Sequence, residues 1–329
     1  MRAKIFHYDE MKYYGFGLRM GAANFFRNGL RLGAKKTLGK VLQPINSYTR
    51  FPEYYFLGRG IERHLRRFAS ESSARVLDVG SPKCFGLYLA SHCNVEIHLT
   101  DVHGPAVDEA RVLWAGIAKR AKGKAIFSVQ DARKLEYSAE HFDAVYSMSV
   151  IEHVAGETGD SESIREMLRV LKPGGLLLVT VPFGEKYVEQ GRIGFQGAAI
   201  ETGCREQYFF QRVYTEDAAR KRIIDAAAEA DLRSLVTISR RTGLISSLYG
   251  RLGPGLRGVL GFLNPILSMA LNDSGKGFLP VAGHYSDLHS PRDIYGDLIL
   301  ACEKPVPRES PASANEKRGA ELAGAGTTS

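Results

Sequence analysis

The sequence predicts an α/β fold, a doubly wound and mainly parallel sheet of seven strands with the last strand antiparallel. Two observations predict it. Short apolar, β-branched runs alternate with helical segments between Arg75 and Ser239, as expected for strands buried on both faces and joined by right-handed crossovers. A last strand-like run, Tyr295–Glu303, follows only after a long insertion.

The elements follow in order. Gly60–Ala69 reads as a short helix leading into strand one, Arg75–Val79. A helix starts at Phe85 and runs to His92, and strand two is Val95–Thr100. A helix over Ala106–Arg120 precedes strand three, Ala125–Val129. Strand four is Phe142–Ser147, and the helix Ser161–Leu171 is stopped by Lys172-Pro-Gly-Gly before strand five, Leu176–Val181. Pro and paired Gly end a helix because one lacks the N–H and the other tolerates a left-handed turn. Tyr214–Ala230 is the next helix, with Thr215 as N-cap and Glu216 and Asp217 in the first turn, where the helix dipole favours acids. Leu232–Ser239 is strand six.

The 329 residues are 44% hydrophobic and 24% charged, which suits a globular core and excludes disorder throughout. No apolar run reaches the roughly 18–20 residues a spanning helix needs, and the N-terminus lacks a secretory-signal pattern. Four cysteines without C-x-x-C spacing read as reduced thiols. The expectation is a cytoplasmic protein. The whole net charge of +8 resides in residues 1–52, a basic arm with no acid between Met11 and Pro52. Its basic residues interleave with Phe, Tyr and Gly. The arm reads either as a helical segment packed on the core or as one that lies on an anionic membrane surface. The domain plan is therefore an arm at 1–52, a core at 53–304 with an insertion at about 243–292, and a Pro/Ala/Gly/Ser-rich disordered tail at 305–329.

In a doubly wound sheet, ligands bind outside the carboxyl ends of the strands. The segment VLDVGSPKCFG (76–86) puts Asp78 and Gly80 at the end of strand one, and a glycine there admits a ligand close to the backbone. Asp101 closes strand two, where a carboxylate can accept both hydroxyls of a ribose. Asp131 follows strand three. Ser147–Val154 (SMSVIEHV) ends strand four and carries Glu152 and His153. His153 can serve as a general base near neutral pH, or simply as a capping or surface histidine.

These four signals in this order, with LKPGGLLLVTVPF at 171–183, resemble the class I S-adenosylmethionine-dependent methyltransferases. The resemblance covers about 74–240 and the last strand. It implies a Rossmann-like fold, S-adenosyl-L-methionine as cofactor, and methyl transfer to a small-molecule, glycan or lipid-linked acceptor by in-line displacement. Cofactor contacts carried over are Asp78, Gly80, Ser81, Gly86, Asp101, Asp131, Ala132, Ser147 and Met148. Asp131 would meet the adenine amino group and the Ala132 N–H the ring. Ser147 and Met148 would lie beside the sulfonium. Glu152 and His153 are the catalytic candidates. Tyr187, His284 and Tyr285 are candidates for the acceptor, and no metal is expected.

The glycine loop departs from the family's D-x-G-x-G-x-G. Pro82 and Cys84 stand near the second and third glycines, so Gly86 would have to compensate. A non-catalytic binding protein on the same fold is therefore an alternative. A nicotinamide-dependent dehydrogenase is disfavoured, since no G-x-G-x-x-G follows strand one. A nucleic-acid methyltransferase ranks below a small-molecule enzyme because SMSVIEHV stands where an N/D-P-P-Y-type motif would be.

Overall fold

The computed structural model describes residues 50–67, 73–184, 186–193, 207–228, 230–240, 281–284 and 295–306. Nearly all of the arm, most of the insertion and the tail beyond 306 lie outside the described residues, as do Tyr285 and Cys204.

One sheet organises the fold. Its strands are β1 (Ala74–Val79), β2 (Val95–Asp101), β3 (Lys124–Val129), β4 (Phe142–Met148), β5 (Leu171–Phe183), β8 (Asp231–Arg240), β9 (Val281–His284) and β10 (Tyr295–Glu303). Their order is β3-β2-β1-β4-β5-β10-β8-β9. The strands β1 to β5 pair in parallel, and β10 runs antiparallel between β5 and β8. The sequence predicts seven strands and this antiparallel last strand. The eighth, β9, comes from the segment read as an insertion and pairs antiparallel with β8. A separate two-stranded ribbon, β6 (Val188–Ile193) with β7 (Gln207–Val213), forms where the sequence pattern places no strand or helix. Its polar residues, Glu189, Gln190, Arg192, Gln211 and Arg212 among them, interrupt the apolar pattern that marks a core strand and leave only the run Tyr208–Phe210.

Residue alternation explains why the central strands form. In β5, Leu176 and Leu178 join one apolar cluster, while Leu177, Val179 and Val181 join the other. Both faces are buried, so both alternating sets are apolar. Helices α1 (Arg50–Leu65), α2 (Lys83–His92) and α3 (Gly104–Ala115) contribute to the first cluster. Helices α4 (Gly159–Val170) and α5 (Glu216–Ala219) contribute to the second. A π-helical turn (Arg220–Ile224) and a 3-10 turn (Asp225–Ala227) extend α5. Thr215 caps α5 as its sequence position predicts, with Oγ1 accepting from the Ala218 N–H.

Several boundaries differ from expectation; α3 stops at Ala115 and not at Arg120, and two further differences shape the architecture. Helix α1 begins at Arg50, ten residues before the expected start at Gly60. Its buried positions Glu53, Leu57, Ile61 and His64 recur at helical spacing, and a buried acid among them conceals the stripe. The KPGG segment is not a free turn between helix and strand. It lies inside β5 as a bulge, with Gly174 at φ +75° and the β4 register shifting between Phe142 and Ala144. The Gly174 N–H donates to the Lys304 carbonyl and the Lys304 N–H to that of Gly175, so the bulge anchors the chain just beyond β10.

Candidate active site

The parallel strands β1 to β4 all end at one edge, and the motif residues gather there. Asp78 is fully buried near the end of β1. Its Oδ2 accepts the Tyr146 hydroxyl at 2.8 Å and its Oδ1 the Ser81 N–H at 2.9 Å. Burial pushes the Asp78 carboxyl up, and the Lys83 ammonium at 3.2 Å opposes the shift. Ser81 Oγ accepts the Met148 N–H at 2.9 Å, and Ser147 Oγ donates to the Val79 carbonyl at 3.0 Å. The side chains of Asp78, Ser81, Ser147 and Met148 are all buried. Together they stitch the ends of β1 and β4 into one corner.

Gly80 turns the chain at φ +71°, and a Cβ there would lie 2.5 Å from Val150 Cγ1. Both constraints demand glycine. Gly86 lies in α2, away from the turn. A Cβ on it would come within 2.3 Å of Leu99 Cδ2 and 2.8 Å of the Tyr146 hydroxyl oxygen. This glycine lets α2 approach β2, and its Cα borders core atoms.

Asp101 is at the end of β2, in register with Val129 at the end of β3. Its Oδ1 accepts the His103 N–H at 3.0 Å. The neighbouring Val102 and Val129 are 72% and 56% exposed. Asp131 follows, half exposed and gripped by the Arg133 guanidinium at 2.6–3.1 Å, with the Arg133 N–H also donating to it. That pairing holds the Asp131 carboxyl below the usual carboxylate range. Ala132 is partly buried against the second cluster.

After β4 the chain passes through Ser149, a non-glycine residue at φ +47°, and enters a 3-10 turn over Ile151–His153. Glu152 is buried, and His153 is partly exposed with Nε2 3.7 Å from Glu152 Oε1. His153 Nδ1 is 2.6 Å from the Phe210 carbonyl. A carbonyl only accepts, so Nδ1 carries the proton and the neutral ring has its lone pair on Nε2. The β6–β7 ribbon thus sets the orientation of this histidine. Tyr187 stands at the ribbon's start, exposed, with its hydroxyl donating to Glu189 at 2.8 Å. His284 is a residue of β9 at the far edge of the sheet, apart from the ends of β1 to β4.

Three contributors escape the motif reading. Glu53 of α1 is buried, and its Oε1 accepts the hydroxyls of Ser149 at 2.6 Å and Thr180 at 2.5 Å. Lys83 sits between Asp78 and Asp101. Arg212 of β7 is buried, lies 4.6 Å from the Phe209 ring, and donates to the carbonyls of Val154 and Gly156. Only Lys83 leaves a signal in the sequence, as a charge where the loop would carry small residues.

The family comparison decides the class of this edge. Residues 77–179 match the model of the family described as a methyltransferase domain. Residues 77–179 belong to a class I methyltransferase domain. The methyl donor that goes with the domain is S-adenosyl-L-methionine. Among curated relatives, the ubiquinone/menaquinone biosynthesis C-methyltransferase of Pseudomonas fluorescens (strain SBW25) is 35% identical over 135 residues, 37% of this chain and 49% of that protein. The tRNA (carboxymethyluridine(34)-5-O)-methyltransferase of Arabidopsis thaliana is 36% identical over 84 residues, 21% of this chain and 20% of that protein. The chain thus spans half or less of the length of these relatives. Among solved structures, a SAM-dependent methyltransferase from Methanosarcina mazei has a TM-score of 0.46 at 16% identity, covering 74% of this chain and 98% of that one. Phosphoethanolamine N-methyltransferase 2 of Haemonchus contortus has a TM-score of 0.44 at 18% identity, covering 85% and 60%. No helix among the described residues is long and apolar enough to cross a membrane.

Proposed function

We propose that the protein transfers a methyl group from S-adenosylmethionine to a small, amphiphilic acceptor at the carboxyl edge of β1 to β4. One observation carries the reading: Asp101 lies in register with Val129 and is followed by Val102, so a carboxylate is flanked by two exposed apolar side chains. A nucleoside offers that combination, a diol for the acid and a flat apolar ring for the valines. The left-handed Gly80 leaves no Cβ between the ligand and the corner. Asp131 keeps acceptor capacity beyond its pairing with Arg133, because an ionised carboxylate has about four lone-pair sites; the Ala132 N–H follows it.

When bound, the donor supplies an electrophilic methyl carbon. Asp101, Gly80 and Asp131 would hold the donor, and its alignment with the acceptor would supply much of the acceleration. His153 takes the proton the acceptor releases, on Nε2, while Phe210 holds Nδ1 and Glu152 stabilises the imidazolium. Tyr187, at the start of the ribbon, contacts the acceptor. A quinone-like or lipid-linked acceptor fits two observations. A matched relative bears the name of a ubiquinone/menaquinone biosynthesis C-methyltransferase, and the sequence contains the apolar stretch GVLGFLNPILSMALN. The arm at 1–52 would then bring the enzyme to an anionic membrane surface. Deleting it should abolish co-sedimentation with anionic vesicles; unchanged sedimentation removes the membrane role.

Calorimetric titration with S-adenosylmethionine and S-adenosylhomocysteine tests the core of the proposal. The unaltered protein should bind both, and Asp101→Ala should lose about 10- to 100-fold in affinity, the cost of a charged hydrogen bond. If the unaltered protein binds neither ligand, a non-catalytic binding role replaces methyl transfer.

A further inference from the structure

The loop after β1 has spent its own donors. The Gly80 N–H donates to the Thr100 carbonyl at 3.0 Å, and the Ser81 N–H to Asp78 Oδ1 at 2.9 Å. Pro82, at φ −56°, has no N–H. None of these three residues therefore has a main-chain proton left for a ligand.

The Lys83 side chain reaches the same two acceptors, the Thr100 carbonyl and Asp78 Oδ1. Lys83 Nζ lies 2.7 Å from the Ser81 carbonyl, 2.7 Å from the Thr100 carbonyl, 3.2 Å from Asp78 Oδ1 and 3.4 Å from Asp101 Oδ2. The Lys83 side chain is only 11% exposed. An ammonium has three protons, and four oxygens surround this one. It bridges the β1 acid to the β2 acid. Asp101 is then held on both oxygens, Oδ1 by the His103 N–H and Oδ2 by Lys83.

We propose that Lys83 is a positioning residue that fixes the Asp101 carboxylate for a ribose diol, replacing with one ammonium the order a glycine loop would supply through its backbone. The inference rests on the nucleoside reading of this edge. A carboxylate clamped from two sides keeps its outward lone pairs in one direction, and a diol needs that direction fixed. Without the ammonium, Asp101 turns toward water and its two hydroxyl contacts loosen. Selectivity for the ribose falls, while contacts to the base remain.

Lys83→Met tests this, since it keeps the stem and removes the charge. It also leaves the buried Asp78 without its cation, so Asp78→Asn/Lys83→Met is made alongside it to preserve folding. The probes are S-adenosylhomocysteine and its 2′-deoxy counterpart, titrated calorimetrically against each protein shown to be folded by circular dichroism. The unaltered protein should prefer the ribose compound by about 10-fold or more, and the folded variant should narrow that preference to about 3-fold or less. A loss of affinity that is equal for both compounds marks a merely structural lysine and overturns the proposal, as does an unchanged preference. If the unaltered protein binds neither compound, the nucleoside reading itself fails and the role of Lys83 goes with it.

Discussion

Ser149 donates its hydroxyl to Glu53 Oε1 at 2.6 Å, joining residues 96 positions apart at the end of β4. The same carboxylate oxygen accepts from Thr180 on β5, and the Ser149 N–H donates to both the carbonyl and the hydroxyl oxygen of Thr180. Helix α1 thereby holds Ser149 at φ +47°, a conformation that costs a non-glycine residue about 1 kcal/mol or more. The 3-10 turn bearing Glu152 and His153 departs from that point.

Glu53→Ala should destabilise the fold by about 1–3 kcal/mol, the cost of leaving buried hydroxyls without an acceptor. Glu53→Gln keeps an acceptor oxygen and should recover most of the loss. Urea unfolding reads both. If alanine and glutamine cost the same, the oxygen at this position is not what holds Ser149.

Gly86→Ala should cost about 1–3 kcal/mol, because a methyl group placed among Leu99, Ile97 and Tyr146 overpacks the interface of α2 with β2. It should also move the Tyr146 hydroxyl from Asp78. A melting curve superimposable on that of the unaltered protein would refute the close approach.

Burial pushes the His64 imidazole below its ordinary value. Its Nε2–H donates to the Asp143 carbonyl at 3.0 Å. The folded protein therefore binds fewer protons at this site than the unfolded chain in the window below about pH 6.5. Stability contributed here is complete above that pH and declines as pH falls toward the folded value. His64→Gln removes the titration and keeps a donor, so the melting temperature should fall less between about pH 7 and about pH 5 than in the unaltered protein. Equal slopes would show that other groups govern acid sensitivity.

Arg212→Met should leave the carbonyls of Val154 and Gly156 without their guanidinium donor, at a cost of about 1–3 kcal/mol. Hydrogen exchange should accelerate over residues 154–158 more than in β1 or β4. Uniform protection across these segments would mean that Arg212 does not secure the loop.

His153→Gln should lower kcat by about 100-fold or more while leaving S-adenosylhomocysteine affinity within about 3-fold, as expected for a base that acts on the acceptor alone. Tight binding lost together with turnover would place His153 on the donor instead.

Much of this protein is local chemistry. The alternation of short apolar runs with helices fixes the wound sheet, since a strand covered on both faces is apolar on both alternating sets, as in Leu176–Val181, where Thr180 is the one polar residue. Asp78, Gly80, Asp101 and Asp131 fall at strand ends because those ends follow from the pattern, and Thr215 caps α5 because its side chain reaches a main-chain N–H three residues on. Distance in the chain decided the rest. Glu53 meets Ser149, Lys83 bridges two strand ends, and the ribbon carries Phe210 to His153. These contacts join polar groups whose partners lie on other elements, and a polar residue has no periodicity that names its partner. Burial at strand ends is likewise legible only once the strands are assembled. Asp78 and Asp101 look alike in one dimension, yet packing encloses the first with Tyr146 and leaves the second at the rim beside two exposed valines.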